Sequence, residues 1–269
     1  MFKRILKGII ENKPLIKIIE KIARTSSSAN VFIACFPKSG STYLTTLLSE
    51  ITGFQSRMAV QFCGHNEQDI FETPLRYLSL RNSITQQHVK GTNNNVKLLK
   101  KYNIKPVILV RNIFDVVLSL HNHIEREDHR ILLGYVHKEY FGMSKEEKLL
   151  YVIRVMLPWY FNFYMSWREA SKEMDVLWTS YEELFSNQID TVSRILSFYD
   201  IHVNHNQIQS AILEMKSKNT RLNVGIKGRG ANLPERHKEE ILNLASVWKV
   251  DKKEMQIIGL TQSVQSVVK

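Results

Sequence analysis

The chain has 269 residues, 43% of them hydrophobic and 23% charged, and carries a formal net charge of +11. That length is enough for one domain with a sizeable core, and the balance is ordinary for a soluble globular protein. The excess charge points to an anionic partner, whether a nucleic acid, a phosphate-bearing small molecule or a membrane surface, without choosing among them. The two cysteines, Cys35 and Cys63, make neither a disulfide framework nor a metal site, so a reducing, cytoplasmic setting is expected.

The first 24 residues hold seven Lys or Arg against two Glu. Their apolar runs are too short to span a bilayer and are broken at Glu11, Asn12, Lys13 and Pro14. No cleavage-site pattern follows them. Two readings stay open: an amphipathic segment with weak contact to anionic lipid, or two short helices packed on the domain. The polar "TSSSAN" at 25–30 reads as a loop, residues 31–36 as a buried strand and 42–51 as a helix. The stretch 54–79 is mixed, with "GHNEQD" a polar loop and "IFETPLRYLSL" helical. "SITQQHV" at 83–89 is a strand and "VKLLKKYN" a short helix. "KPVILVRN" at 105–112 is the clearest buried strand, with the helix "FDVVLSLHNHI" after it.

Residues 144–172, rich in aromatics, read as helical, and "DVLWTSYEEL" turns from strand to helix near 180. Helices follow at 187–199, 204–216 and 234–248. Strands alternating with helices predict an α/β fold, a central parallel sheet flanked by helices on both faces. Ligands of such sheets lie beyond the carboxyl ends of the strands. With no repeat or linker, the division is a basic, helical N-terminal segment at 1–30 and a single domain at 31–269.

The loop between the first strand and helix is "PKSGST", residues 37–42. Gly40 lets backbone approach a ligand closely, Ser39, Ser41 and Thr42 add hydroxyl donors, and Lys38 adds a full charge. The free N–H groups opening the helix favour an anion such as phosphate. Nucleotide-hydrolysing loops place the lysine after the last glycine; here Lys38 precedes Gly40. A kinase or NTPase also needs a magnesium-holding acid after an apolar strand, and the clearest such strand ends in Arg111. An arginine there suits bidentate phosphate binding, or an ion pair with a nearby acid. Asp115 suits the first turn of the next helix and Ser119 lies a further turn along, so that Arg111 and Ser119 can face the same crevice as the first loop.

"PKSGSTY" at 37–43 and "RNIFD" at 111–115, with Ser119 eight residues after Arg111, resemble the sulfotransferases that use 3′-phosphoadenosine 5′-phosphosulfate (PAPS). The resemblance runs through most of the chain from residue 31 and implies a P-loop-like nucleotide-binding architecture. It implies that Lys38, Ser39, Gly40, Ser41 and Thr42 hold the 5′-phosphosulfate, and that Arg111 and Ser119 hold the 3′-phosphate. Tyr43 takes the position of the aromatic that stacks on adenine, and "YEEL" at 181–184 places Tyr181 near the adenine. "EMKSKNTRLNVGIKGRG", 214–230, resembles the segment that closes over the 3′-phosphate, bringing Lys227, Gly228 and Arg229. Ile226 stands where the family has an arginine, a gap that Arg229 is placed to fill. Ile113 replaces the family's proline.

In sulfuryl transfer, positioning and charge stabilisation dominate. Lys38 neutralises charge on the bridging oxygen, and the resemblance implies that Ser119 engages the lysine until an acceptor arrives. No metal is required. Histidine suits the base that takes the acceptor's proton. His88, 23 residues before Arg111, fills the place of the family's base, while Gln86 stands where a lysine is usual. His65, Glu67 and Asp69 compete for the role, whereas His121 and His123 are expected at the surface. "WYFNFYMSW" at 159–167 is mostly core packing, with room for a ring or two lining an acceptor pocket. The expected products are PAP and a sulfated small molecule, such as a natural product bearing a hydroxyl or amine; a glycan or lipid-linked saccharide is the alternative acceptor. Nucleic acid is not an expected partner, since much of the basic excess lies in the N-terminal segment.

Overall fold

Val31 to Phe36 offer apolar side chains to both faces of a strand, and the computed structural model buries that strand in the middle of a sheet. The structure describes residues 13–60, 67–126, 130–131, 134–217 and 228–260. The sheet strands are β1 (Asn30–Cys35), β2 (Gln55–Arg57), β3 (Ser83–Gln87), β4 (Pro106–Val110) and β7 (Leu177–Ser180). A separate antiparallel pair, β5 (Arg130–Ile131) and β6 (Gly134–Tyr135), lies between β4 and β7 in the chain. The sheet order is β2-β3-β1-β4-β7, with every neighbouring pair parallel.

Because side chains alternate along a strand, β1 and β4 feed two cores. Phe32, Ala34, Ile108 and Val110 face one; Val31, Ile33, Cys35, Val107 and Leu109 face the other. The helices are α1 (Lys13–Thr25), α2 (Ser41–Thr52), α3 (Glu72–Leu78), α4 (Asn93–Lys101) and α5 (Ile113–Arg126). There follow α6 (Glu139–Gly142), α7 (Lys145–Tyr151), α8 (Leu157–Ala170), α9 (Tyr181–Ser186), α10 (Gln188–Phe198), α11 (His205–Ser217), α12 (Glu235–Val247) and α13 (Lys252–Ile257). Helices α2, α10 and α11 cover the second core, while α3, α4, α5, α8 and α12 cover the first. The fold is the α/β arrangement that the alternation predicts.

Three features were not legible from periodicity. A π turn at Val152–Met156 joins α7 to α8. Pro158, at the start of α8, has no N–H to bond the Arg154 carbonyl, so the ladder loosens just before it. Helix α13 is short and capped by Asp251 and Glu254 acting reciprocally. After it the chain returns to the sheet, where Ile113 N–H donates to the Ile258 carbonyl at 3.0 Å and Asn112 Nδ2 to the Gly259 carbonyl at 3.0 Å. The carboxyl-terminal residues thus help to hold the start of α5.

Helix α1 packs on α3. Ala23 is buried in the first core, and Glu20 pairs with Arg76 at 2.8 Å and with Lys101 at 3.5 Å. Residues 1–12, on which half of the expected N-terminal helical pair falls, lie outside the described residues. Among the described residues no helix is long and apolar enough to cross a membrane.

Candidate active site

The loop after β1 is built to keep its amides at the strand ends. Phe36 N–H donates to the Leu109 carbonyl at 3.0 Å, tying the loop to β4. The Tyr160 hydroxyl donates to the Pro37 carbonyl at 3.1 Å. The Ser39 hydroxyl donates to the Phe36 carbonyl at 2.6 Å, and the Ser39 N–H reaches the same oxygen at 3.3 Å. Ser39 therefore closes the turn from inside. The N–H groups of Ser41, Thr42 and Tyr43, in the first turn of α2, have no carbonyl four residues back in the helix, and Gly40 at the cap position offers no side chain to bond them. Gly40 sits at φ +80°, and a Cβ there would lie 3.0 Å from the Tyr181 ring and 3.4 Å from Phe185. Glycine is demanded twice, by backbone and by space.

Lys38 adopts φ +67°, a left-handed conformation costly for a lysine. Arg111 braces it: from the end of β4, its Nη1 donates to the Lys38 carbonyl at 2.9 Å. Arg111 is buried, and its guanidinium carbon lies 3.9 Å from the centre of the Tyr181 ring. The ordinary alternative, an ion pair with Asp115, is only partly made, Nη2 standing 3.6 Å from Oδ2. Arg111 Nε is buried with no hydrogen-bond partner among the described residues. A buried guanidinium donor left unmatched is costly, and an anion at the strand ends would satisfy it.

Asp115 has other work. Its Oδ2 accepts the Gly228 N–H at 3.0 Å and its Oδ1 the Gly230 N–H at 2.6 Å. These bonds clamp the turn at Arg229–Asn232 against the start of α5 and bring half-buried Arg229 beside Tyr181. Burial pushes the Tyr181 hydroxyl up, with Arg111 and Arg229 both opposing the rise. Lys227 and Ile226 lie outside the described residues, so of the expected closing segment only Gly228 and Arg229 are placed. Ser119 is half-buried on α5, one turn beyond Asp115 on the same side of the helix. A Cβ on Gly230 would stand 2.3 Å from Phe114 Cβ and 2.9 Å from the Asp115 amide. We expect Gly230→Ala to lift the clamp and weaken PAP binding by about tenfold, read by calorimetry, with a smaller loss of melting temperature.

An aromatic wall lines the loop beside Gly40 and Arg111. Tyr43 packs on Phe185 at 5.1 Å between ring centres, and Phe185 on Tyr181 at 4.5 Å. The Tyr43 hydroxyl accepts from Gln188 Nε2 at 2.6 Å. Phe185 was not foreseen, although it stands four residues after Tyr181, directly past the end of a segment read as turning helical, the spacing that sets two side chains on one face.

His88 follows β3 directly and lies beside the end of β1. Its Nδ1 is 2.9 Å from the Cys35 carbonyl and 3.4 Å from Cys35 Sγ, and its Nε2 is 3.9 Å from Glu67 Oε2. Burial pulls the imidazole down, but the Cys35 sulfur, the Cys35 carbonyl and the Glu67 carboxylate outweigh it, and the pKa is pushed up to about 9. Cys35 is a buried free thiol, and Gln86 Nε2 donates to its sulfur at 3.4 Å. His65 and Cys63 lie outside the described residues. His121, expected at the surface, is instead buried against the Tyr140 hydroxyl at 3.3 Å, because α5 turns it toward α6 rather than outward. The described aromatics of 159–167 are core: Trp159, Tyr160, Phe161, Phe163, Tyr164 and Trp167 are all buried. Among the described residues no group of three or more His, Cys, Asp or Glu could hold a metal ion.

This architecture has counterparts. The chain superposes on a mouse sulfotransferase, SULT7A1, solved in complex with PAP, with a TM-score of 0.64 at 16% identity over 90% of this chain and 92% of that one. It superposes on retinol dehydratase, solved with androsterone and the inactive cofactor PAP, with a TM-score of 0.55 at 16% identity over 93% and 88%. No curated protein matches it by sequence. At such identities the likeness speaks for the fold. The family model for the sulfotransferase domain matches residues 28–232, a span holding Lys38, His88, Arg111 and Arg229, and the chain therefore belongs to the sulfotransferase family.

Proposed function

We propose that this enzyme transfers the sulfuryl group of PAPS to a hydroxyl or amine of a small molecule in the cytoplasm. The observation that carries the reading is the pairing at the ends of β1 and β4. From the end of β4 the Arg111 guanidinium bonds the backbone carbonyl of Lys38, in the loop after the adjacent strand β1, at 2.9 Å, with an aromatic wall beside it. A nucleotide anionic at both its 5′ and 3′ positions fits such a site, and the unmatched Arg111 Nε suits a phosphate oxygen. Solved proteins of this fold hold PAP, and one holds androsterone, which supports a nucleotide donor and a small acceptor.

In this reading the amides of Gly40 to Tyr43 and the Lys38 ammonium hold the 5′ end. Arg111, Ser119, Gly228 and Arg229, joined by Lys227, hold the 3′-phosphate. Tyr43 and Tyr181 flank the base. Bound PAPS supplies the activated sulfuryl group. Lys38 opposes the charge that builds on the bridging oxygen, Ser119 holds the lysine until an acceptor arrives, and His88 takes the acceptor's proton.

Wild-type protein should gain several degrees of melting temperature with saturating PAP and none with ATP or DNA. Lys38→Ala should lower transfer by about a thousandfold while leaving the unliganded melting temperature within a few degrees. Equal stabilisation by ATP, or transfer by Lys38→Ala near the wild-type rate, would remove the assignment.

A further inference from the structure

Helix α1 packs on the domain by one side only. At about 100° per residue, Ile16, Ile19, Glu20 and Ala23 fall together on the side toward α3, and these positions are half-buried or buried. Around the axis the outer arc then runs Arg24, Lys17, Lys21, Thr25, Ile18, Ile22, and each of these residues is exposed. One flank of the arc is cationic and the other apolar, the layout of a helix lying in a lipid–water interface.

The charges on the arc have one sign because the only acid of the helix is turned away. Glu20 is held inward by Arg76 at 2.8 Å and Lys101 at 3.5 Å, while Arg24 stands 3.9 Å from it. Lys17, Lys21 and Arg24 line one shallow hollow together with Glu20 and Thr25. Single exposed apolar side chains are ordinary on any surface. Ile18 and Ile22, however, are 57% and 54% exposed, and among the described residues they are the only large exposed apolar pair one helical turn apart. In the sequence, residues 1–12 extend the same composition, with Lys3, Arg4 and Lys7 against Glu11, and Phe2, Ile5, Leu6, Ile9 and Ile10 among them.

We propose that the outer arc of α1 docks peripherally on an anionic lipid bilayer, Ile18 and Ile22 entering the acyl boundary and Lys17, Lys21 and Arg24 meeting headgroup phosphates. The proposal goes beyond the transfer reaction and does not depend on it. A nucleic acid or an acidic protein would answer the cations and leave both isoleucines in water. A second copy, meeting this face across a two-fold axis, would cover the isoleucines but set two rows of lysines close together. A bilayer meets both flanks at once, since the long lysine stems let the ammonium groups rise to the phosphates while the isoleucines sink. Because Ala23 and Glu20 already hold α1 on the domain, docking need not order the helix.

The test sediments the full chain with sucrose-loaded vesicles of phosphatidylcholine, alone or with about a quarter phosphatidylglycerol. The wild type should bind the anionic vesicles about tenfold or more tightly than the neutral ones, and lose most of that gain in about 0.5 M salt. Ile18→Ser with Ile22→Ser, and separately Lys17→Glu with Lys21→Glu, should each weaken binding to the anionic vesicles about tenfold. All four side chains are exposed, so both double variants should melt within about two degrees of wild type. No binding to either vesicle, equal binding to both, or anionic binding unchanged by the isoleucine pair overturns the proposal. So does a wild-type dimer in light scattering that the isoleucine pair converts to a monomer, which gives the face to a second copy. Tighter binding to a short DNA duplex than to the anionic vesicles overturns it as well, in favour of nucleic acid.

Discussion

Replacing Arg111 by lysine is expected to weaken PAP binding by about a hundredfold, or roughly 3 kcal/mol, while adenosine 5′-phosphate, which lacks the 3′-phosphate, loses much less. The charge is kept in this variant, so a purely coulombic role would survive it. What is lost is the planar fork: one nitrogen on the Lys38 carbonyl, a face on Tyr181, and the buried Nε left for a ligand. A lysine cannot make all three at once. Because Arg111 also braces the strained Lys38 backbone, the unliganded protein should melt a few degrees lower, and a control is needed. The difference between the two nucleotides supplies it, since a general loosening of the loop weakens both alike. Calorimetry giving Arg111→Lys a PAP affinity within about threefold of wild type would move the 3′-phosphate elsewhere.

How much of this site could be read in the chain depends on how local each cause is. The strand-loop-helix order around Pro37 to Thr42 was legible because its signals are short-range: an apolar run, a glycine, then helical spacing. The same holds for Arg111, placed by the end of "PVILV". What escaped was set by contacts distant in sequence. Ser39 was read as a ligand donor for its hydroxyl, yet that hydroxyl closes its own turn on Phe36. Asp115 was read as a helix-start acid; its function as a clamp for Gly228 and Gly230 depends on a segment more than a hundred residues later. The return of Ile258 and Gly259 to the start of α5 is of the same kind. Periodicity reports which face of an element is apolar. It does not report which distant loop completes that element's polar end.

His88 is the residue for which a pH profile separates mechanism from packing. Its folded pKa of about 9 lies above that of an ordinary histidine. Below the unfolded value the charged form contributes stability in full, and that contribution is lost as pH rises through about 9. Catalysis runs the other way. A base must be neutral to accept a proton, so kcat/KM should climb about tenfold per pH unit from 7 and level off above about 9. Stability and activity should therefore diverge across this window, and no purely structural histidine would produce the rising limb. His88→Asn keeps a side-chain N–H able to reach the Cys35 carbonyl but has no base. It should hold PAP as tightly as wild type, lose about a hundredfold to ten-thousandfold in transfer, and show no limb near pH 9. If His88→Asn transfers sulfate at more than about a tenth of the wild-type rate, or the wild-type profile is flat from pH 7 to 9, the proton is taken by another group. Glu67, 3.9 Å from Nε2, is then the residue to examine.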